Sequence, residues 1–420
     1  MSAMITTGGE GGCAAIFSYD PLSAVQPVCL PGSKSIAARA LVLSYVFGNH
    51  TRLTGLPDCD DTRELATAME LLAASGGSEV EYNLGTGGTS LRFFLALAAS
   101  LPGKDSVLDC SDALRRRPLD PLIRSLRQAG ADIECLGAEG CAPLRVRGKR
   151  LSGHGVTVDS GISSQFASAL LMVSPLWSSP FLLPENQSSV SRPYIDMTLR
   201  MAGAFSRKPE EYRIEADWSA ASYFYEYALL NPGREVIIDN MPPLKDSLQG
   251  DSVCADIFGR VGVRTEIDGQ GRGHICCDHE VISRLRQTGE VLRFGLGDSP
   301  DLVPALAVGL CCAGIRFSIT DVAHLRHKES DRLSVLAEEL GKAGYEIECR
   351  HDRMSWNGMR KEALSDAELD SHGDHRMAMS FVTAAPALGE IRMRDADAVT
   401  KSFPDFYSQV IRLGIIRRRL

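Results

Sequence analysis

GSKSIAARALVLSYVFG, residues 32–48, opens on glycine and hydroxyl residues and then runs apolar around nearly every face of a helix. A helix with no polar side belongs inside a core, where its Ala and Ser residues let neighbours approach closely. The design recurs five times: GTSLRFFLALAAS from Gly88, SSQFASALLMVSPL from Ser163, DWSAASYFYEYALL from Asp217, DSPDLVPALAVGLCCAG from Asp298 and GDHRMAMSFVTAAPALG from Gly373. Between these copies lie segments with an acidic or hydroxyl start and one apolar stripe: DDTRELATAMELLAASGG, LDPLIRSLRQAGADIE, PYIDMTLRMAGAF, GDSVCADIFGRVGVRTEI, SDRLSVLAEELGKAGYEIE and PDFYSQVIRLG. Such segments predict outer, amphipathic helices. Several end in Gly and run into a short alternating stretch, at 131–134 and 345–348, which predicts a Gly cap and a half-exposed strand. The repeating unit is strand, inner helix, strand, outer helix, strand, with three copies in each half of the chain.

A chain of 420 residues exceeds what one core usually supports, so two domains of roughly 200 residues are expected. Apolar residues at 44% and charged residues at 23% are those of a folded globular protein. The net charge of -8 argues against a general nucleic-acid or anionic-membrane binder, so any anion site must concentrate its basic residues locally. The start, MSAMITTGGEGGCAA, reads as a frayed Gly-rich tail without the basic and apolar regions of a signal peptide, and no apolar run reaches the roughly 18 residues of a membrane helix. A cytoplasmic protein is expected. The twelve cysteines show no CxxC spacing and read as buried free thiols.

The inner helices begin where the polar residues gather. Helix N-termini carry unpaired N–H groups and partial positive charge, so several of them facing one cleft would suit a polyanion. Lys34, Arg39, Arg92, Asp301, His375 and Arg376 all fall in such first turns. LPGSKS lacks the GK[ST] ending of a nucleotide phosphate loop, so ATP or GTP has no support.

The ordered stretches LPGSKSIAARALVLS, DCDDTRELATAMELL, GTGGTSLR, LRRRPLDPL, SGISSQFASALLM, SRPYIDMTL, DSPDLVPALA, LRHKESDRL, GDHRMAM and TKSFPDF closely resemble the enolpyruvyl transferases, specifically the 5-enolpyruvylshikimate-3-phosphate synthase family. The resemblance runs from about Val28 to Ile411. It implies a two-domain inside-out α/β barrel fold with three βαβαββ-type units per domain. One domain would comprise residues 1–33 plus 215–420 and the other residues 34–214, with crossovers near 32–34 and 214–216 and the active site in the cleft between them. It further implies transfer of the enolpyruvyl group of phosphoenolpyruvate to the 5-hydroxyl of 3-phosphoshikimate, on the shikimate route to chorismate and the aromatic amino acids. No cofactor and no metal are implied, and a monomer is expected.

Carried over by position, Lys34, Ser35, Arg39, Ser163, Ser164, Gln165, Ser191, Tyr194, Asp301, His324 and Lys328 would bind 3-phosphoshikimate. Lys34, Gly88, Arg117, Gln165, Arg332, His375, Arg376 and Lys401 would grip phosphoenolpyruvate. The two substrates bring about six negative charges at neutral pH, which calls for cations from both halves. Asp301 matches the carboxylate beside the 5-hydroxyl and Glu329 the one at the phosphoenolpyruvate methylene, with Lys34 between the substrates; these three are the expected catalytic residues. In this family glyphosate competes with phosphoenolpyruvate, and Gly88, without a Cβ, leaves it room.

Three departures bear on fine geometry. Thr86 stands where an Asn is common, His324 where an Asn contacts the shikimate phosphate, and Phe93 where a Pro follows the Arg; the 205–217 stretch is short and suggests a trimmed hairpin. His324 and His327 flank Arg326 as if alternating on a strand, which leaves His327 at the surface. Arg115 and Arg116 read as a solvated basic turn, and His372 with His375 lacks a third metal ligand nearby in sequence. The rival branch, UDP-N-acetylglucosamine enolpyruvyl transferase, carries a Cys where this chain has Asp112; Cys110 lies two residues too early. A non-catalytic anion-binding scaffold would have no use for Lys34, Asp301, Glu329 and Arg376 together.

Overall fold

The structure, a computed structural model, describes residues 14–48, 51–76, 79–158, 164–183, 191–364 and 367–420. The expected N-terminal tail lies largely outside them. All six apolar segments form helices: Lys34–Val46, Gly88–Ala99, Ser164–Val173, Trp218–Leu230, Val303–Cys312 behind a 3-10 turn at Pro300–Leu302, and His375–Thr383. They are buried around their circumference, the Trp218–Leu230 helix from Trp218 through Leu229 without a break. The first three pack on one another, as do the last three. Two apolar cores result. One gathers residues from Ile36 to Ile214; the other joins Ala15–Leu30 to residues from Trp218 to Ile415.

The amphipathic segments form helices at Asp60–Ala74, Asp120–Gln128, Arg192–Phe205, Cys254–Gly259, Arg332–Lys342 and Phe406–Ile411, each with one buried stripe. A further helix, His279–Thr288, is absent from the repeat pattern, although its signals are present: Asp278 accepts from the Glu280 N–H, and Gly289 closes the end at φ 65°.

Sheets complete both halves. Strand Ala15–Tyr19 lies between Ile391–Arg394 and the C-terminal Ile415–Arg419, with Phe17 opposite Ile391 on one side and Arg417 on the other. Val80–Asn83 pairs in parallel with Asp105–Asp109, and Leu292–Gly295 with Phe317–Thr320, so corresponding units repeat the same step in the two halves. Three local expectations are corrected. The 205–217 stretch forms no hairpin; its single strand Glu211–Arg213 pairs in parallel with Arg52–Thr54. The strand expected over 345–348 is reduced to Glu348–Cys349, because Tyr345 makes only an isolated bridge to Arg360. His324 and His327 sit on a 3-10 turn, Ala323–His327, and not on a strand, since Leu325 turns inward to the core between them. His327 is exposed.

The chain passes between the cores along two adjoining segments. Ser33 N–H donates to Glu215 O at 2.7 Å, Asp217 N–H to Pro31 O at 2.9 Å, and Gly32 faces Ala216 in an antiparallel bridge. A Cβ at Gly32 would lie 2.0 Å from Gly55 O, so this crossing tolerates only glycine. The eleven described cysteines are free thiols. No described helix is long and apolar enough to cross a membrane.

Candidate active site

Lys34 is the first residue of its helix, and its Nζ lies 2.8 Å from Asp61 Oδ2 at the start of the Asp60–Ala74 helix. Burial alone would push its ammonium pKa down; Asp61 and Glu329 outweigh burial and raise it, so Lys34 is charged. Ser35 follows, with its backbone carbonyl accepting from Arg39 at 2.8 Å.

Arg39 is 1% exposed. Its guanidinium donates to Thr198 Oγ1 at 2.7 Å, Ser168 Oγ at 3.3 Å and Tyr194 O at 3.2 Å, and lies over the Phe93 ring at 5.2 Å. The Lys34, Ser164 and Arg192 helices therefore meet on this one side chain, which stands behind the Ser35 and Tyr194 surfaces. Ser164 opens the third inner helix and is buried. Ser163 lies outside the described residues. Gln165 donates from Nε2 to Thr89 Oγ1 at 3.0 Å and accepts from Arg92 at 2.9 Å, while Arg92 also donates to Gly88 O at 3.0 Å. Gly88, the first residue of its helix, is thus held by its own backbone oxygen, and a Cβ there would come within 2.8 Å of Arg92 and 3.0 Å of Arg117.

Arg117 belongs to the chain of the first core, yet donates to His327 O of the second at 3.3 Å. Arg115 beside it is spent on Asp109 and Asp112 at 2.6 and 3.0 Å, consistent with a locally paired basic turn.

The second half supplies a lattice of charges. Arg332, 1% exposed, donates from Nε to Asp374 at 2.8 Å and from its two terminal nitrogens to Asp301 and Glu329, both at 2.7 Å. Arg376 donates to the other oxygen of Asp301 at 2.8 Å, Tyr194 OH donates to that same oxygen at 3.4 Å, and Lys328 Nζ stands 3.7 Å from Asp301. Burial would raise the Asp301 carboxyl, but Arg376, Lys328 and Arg332 hold it well below the usual range. Glu329 is half-buried, and although desolvation would raise it, Arg332, Arg117, His375 and Lys34 keep it low. Ser191, left-handed at φ 57°, donates to Gly297 O at 3.3 Å and so seats the Arg192 helix against the second half.

Histidines here are neutral. Burial, reinforced by Lys328, pushes His324 down to about 4, and burial with Lys34 and Arg376 pushes His375 well below its ordinary value. Neither ring nitrogen of the buried His375 has a hydrogen-bond partner among the described residues. Lys401 ends the 3-10 turn Ala396–Lys401, where neighbouring Thr400 donates to Asp60 Oδ2 of the first half at 2.7 Å. As for metals, Glu338, Glu339 and His372 bring ligand atoms within 4.8 Å of one another, and Lys342 Nζ lies 2.8 Å from both oxygens of Glu339, so that one carboxylate is already paired.

Lys34, Arg117, Asp301, Lys328, Glu329, Arg332, His375 and Arg376 thus converge. Residues without an assigned role in the sequence also enter: Asp61 fixes Lys34, Arg92 fixes Gln165, and fully buried Asp374 both caps its helix at the Arg376 N–H and binds Arg332. Their only sequence signal is an acidic or basic residue at a helix start, which reads equally well as an ordinary cap.

Comparisons with known proteins agree on the family. The family model for EPSP synthase (3-phosphoshikimate 1-carboxyvinyltransferase) matches residues 22–410. A 3-phosphoshikimate 1-carboxyvinyltransferase of Bacteroides fragilis is 33% identical over 406 residues, covering 92% of this chain and 94% of that protein. One from Syntrophobacter fumaroxidans is 34% identical over 93% and 97%. Among solved structures, EPSP synthase from Acinetobacter baumannii superposes with TM-score 0.70 at 21% identity over 97% of this chain and all of that one, and the enolpyruvyl transferase NikO from Streptomyces tendae with TM-score 0.67 at 15% identity over 97% and 99%. Those structures establish a shared fold; the family match over most of the length establishes kinship, and the chain belongs to the EPSP synthase family.

Proposed function

We propose that this protein transfers the enolpyruvyl group of phosphoenolpyruvate to the 5-hydroxyl of 3-phosphoshikimate, releasing phosphate. The observation that carries it is the Arg332 lattice: two arginines hold Asp301 and Glu329 ionised beside Lys34 and Arg117 from the other half. In the substrate-free site these carboxylates are too acidic to be good bases. Phosphoenolpyruvate, with a carboxylate and a phosphate suited to bidentate arginine, competes for Arg332, Arg376, Arg117 and Lys401. As the arginines turn to substrate, Asp301 and Glu329 lose cationic partners and their proton affinity rises toward the working pH. Asp301 takes the 5-hydroxyl proton as oxygen adds to C2, an acid delivers a proton to C3, and the tetrahedral adduct expels phosphate as the methyl returns its proton; Lys34 and Glu329 share the C3 and leaving-group steps. Ser163, Ser164, Gln165, Ser191, Tyr194, His324 and Lys328 hold the shikimate phosphate and ring, with Arg39 bracing Ser35 and Tyr194 from behind. A phosphate-release assay with 3-phosphoshikimate as acceptor, against UDP-N-acetylglucosamine, tests this; release with the sugar nucleotide alone overturns it.

We also propose that residues 1–33 plus 215–420 and residues 34–214 act as two domains that close on the anions, in a cytoplasmic monomer. The separate cores and the paired crossovers support the division into two domains. Compaction in small-angle scattering on adding 3-phosphoshikimate is the expected result, and an unchanged radius of gyration would count against closure.

Gly88→Ala places its methyl against the tips of Arg92 and Arg117, which are movable ends and not backbone. The expected outcome is a KM for phosphoenolpyruvate raised roughly tenfold, about 1.4 kcal/mol, with a larger rise in the glyphosate inhibition constant. Equal shifts in both would show that Gly88 does not discriminate between them.

A further inference from the structure

Beneath the Gly85–Gly88 turn lies a carboxylate that the chemistry above does not use. Glu64, half-buried one helical turn beyond Asp61, presses flat against Gly85: a Cβ there would fall 1.8 Å from Glu64 Oε1 and 2.1 Å from Oε2. Glu64 Oε2 also accepts from Thr86 N–H at 3.3 Å. The rest of the turn is tied by Gly85 N–H to Asn83 Oδ1 at 2.9 Å and Ser111 N–H to Gly85 O at 2.8 Å. The turn therefore rests on Glu64 on its way into Gly88.

We infer that Glu64 is a positioning residue for phosphoenolpyruvate, supporting the Gly85–Gly88 turn from below and tuning, through its own charge, how tightly the anion is held. This rests on the proposal that phosphoenolpyruvate lies against Gly88 and Lys401. The charges facing Glu64 are Asp60 and Asp61 on its own helix, Lys401 from the 3-10 turn of the other half, and Lys34 beyond Asp61. Burial first, then Asp61, pushes the Glu64 carboxyl up to about 7, with Thr86 N–H and Lys401 opposing. Below that pH Glu64 is neutral; above it, an anion sits under a turn that must receive another anion.

The test compares wild type with Glu64→Gln, which retains the acceptor for Thr86 and removes the charge. Taking the ratio of their KM values for phosphoenolpyruvate cancels ionisation of the substrate. The ratio, wild type over variant, should be near one at pH 6 and rise to roughly fivefold at pH 8.5, the effect of one unit charge in a partly screened site, with kcat little changed. Glu64→Ala, uncharged like Glu64→Gln but lacking the acceptor for Thr86 N–H, should show a KM above that of Glu64→Gln at both pH values. A wild-type enzyme that turns over phosphoenolpyruvate while the ratio stays flat with pH overturns this inference alone. A wild-type chain without such turnover overturns the substrate assignment and this inference with it.

Discussion

Asp301→Asn is expected to lower turnover by about three orders of magnitude, in the range for loss of a positioned acid or base, while 3-phosphoshikimate binding stays measurable by calorimetry. Asp301 accepts from Arg332 on one oxygen and from Arg376 and Tyr194 on the other. An amide turns one of those acceptors into a donor facing a donor, so the variant loses its proton acceptor and disturbs an arginine at once. Glu329→Gln alters a carboxylate that accepts a hydrogen bond from Arg332 and, among the described residues, from no second arginine, so its loss should fall more purely on kcat. Pre-steady-state quench separates the steps: the Asp301 variant should be slow to form the tetrahedral adduct. Near-normal turnover in both variants would remove them from the proton transfers.

Arg332→Met should cost about 3–5 kcal/mol of stability, the range for removing one member of a buried ion pair. It would leave Asp301, Glu329 and the fully buried Asp374 without the guanidinium that joins them. The sign with pH is fixed. In the wild type, Asp301 and Glu329 titrate well below their ordinary values, so their contribution is complete above the unfolded carboxylate range and is lost as pH falls through the folded values. In the variant their proton affinity rises, and protonation relieves the unpaired charge. The deficit measured by urea unfolding should therefore be larger at pH 8 than at pH 5. A deficit under about 1 kcal/mol at both would mean that water reaches these carboxylates freely.

The helical skeleton was legible because burial writes itself into local composition: a segment with no polar face can only be interior, and all six such segments are. The residue order itself put charged side chains at the mouths of those helices, and the resemblance implied their roles. The helix at 279–288 escaped because its short, polar pattern resembles a loop until Asp278 and Gly289 are seen to cap it. The strand reading failed at His324 and His327 because Leu325 between them turns into the core and Ala323–His327 closes a 3-10 turn, in which residues three apart share a face instead of lying on opposite ones.

By itself, then, the sequence determined which segments are inside, which amphipathic, and which residue types open each inner helix, since these depend on neighbours within a few positions. Tertiary structure alone decided which groups meet: Lys34 with Asp61, Arg332 with Asp374, Arg117 with the His327 carbonyl, and Glu64 under Gly85. It also showed Arg39, expected at a helix mouth, to be shared among three helices. Such partners lie tens to hundreds of residues apart in the chain; Coulomb's law acts through space, and only packing of the two cores sets those distances.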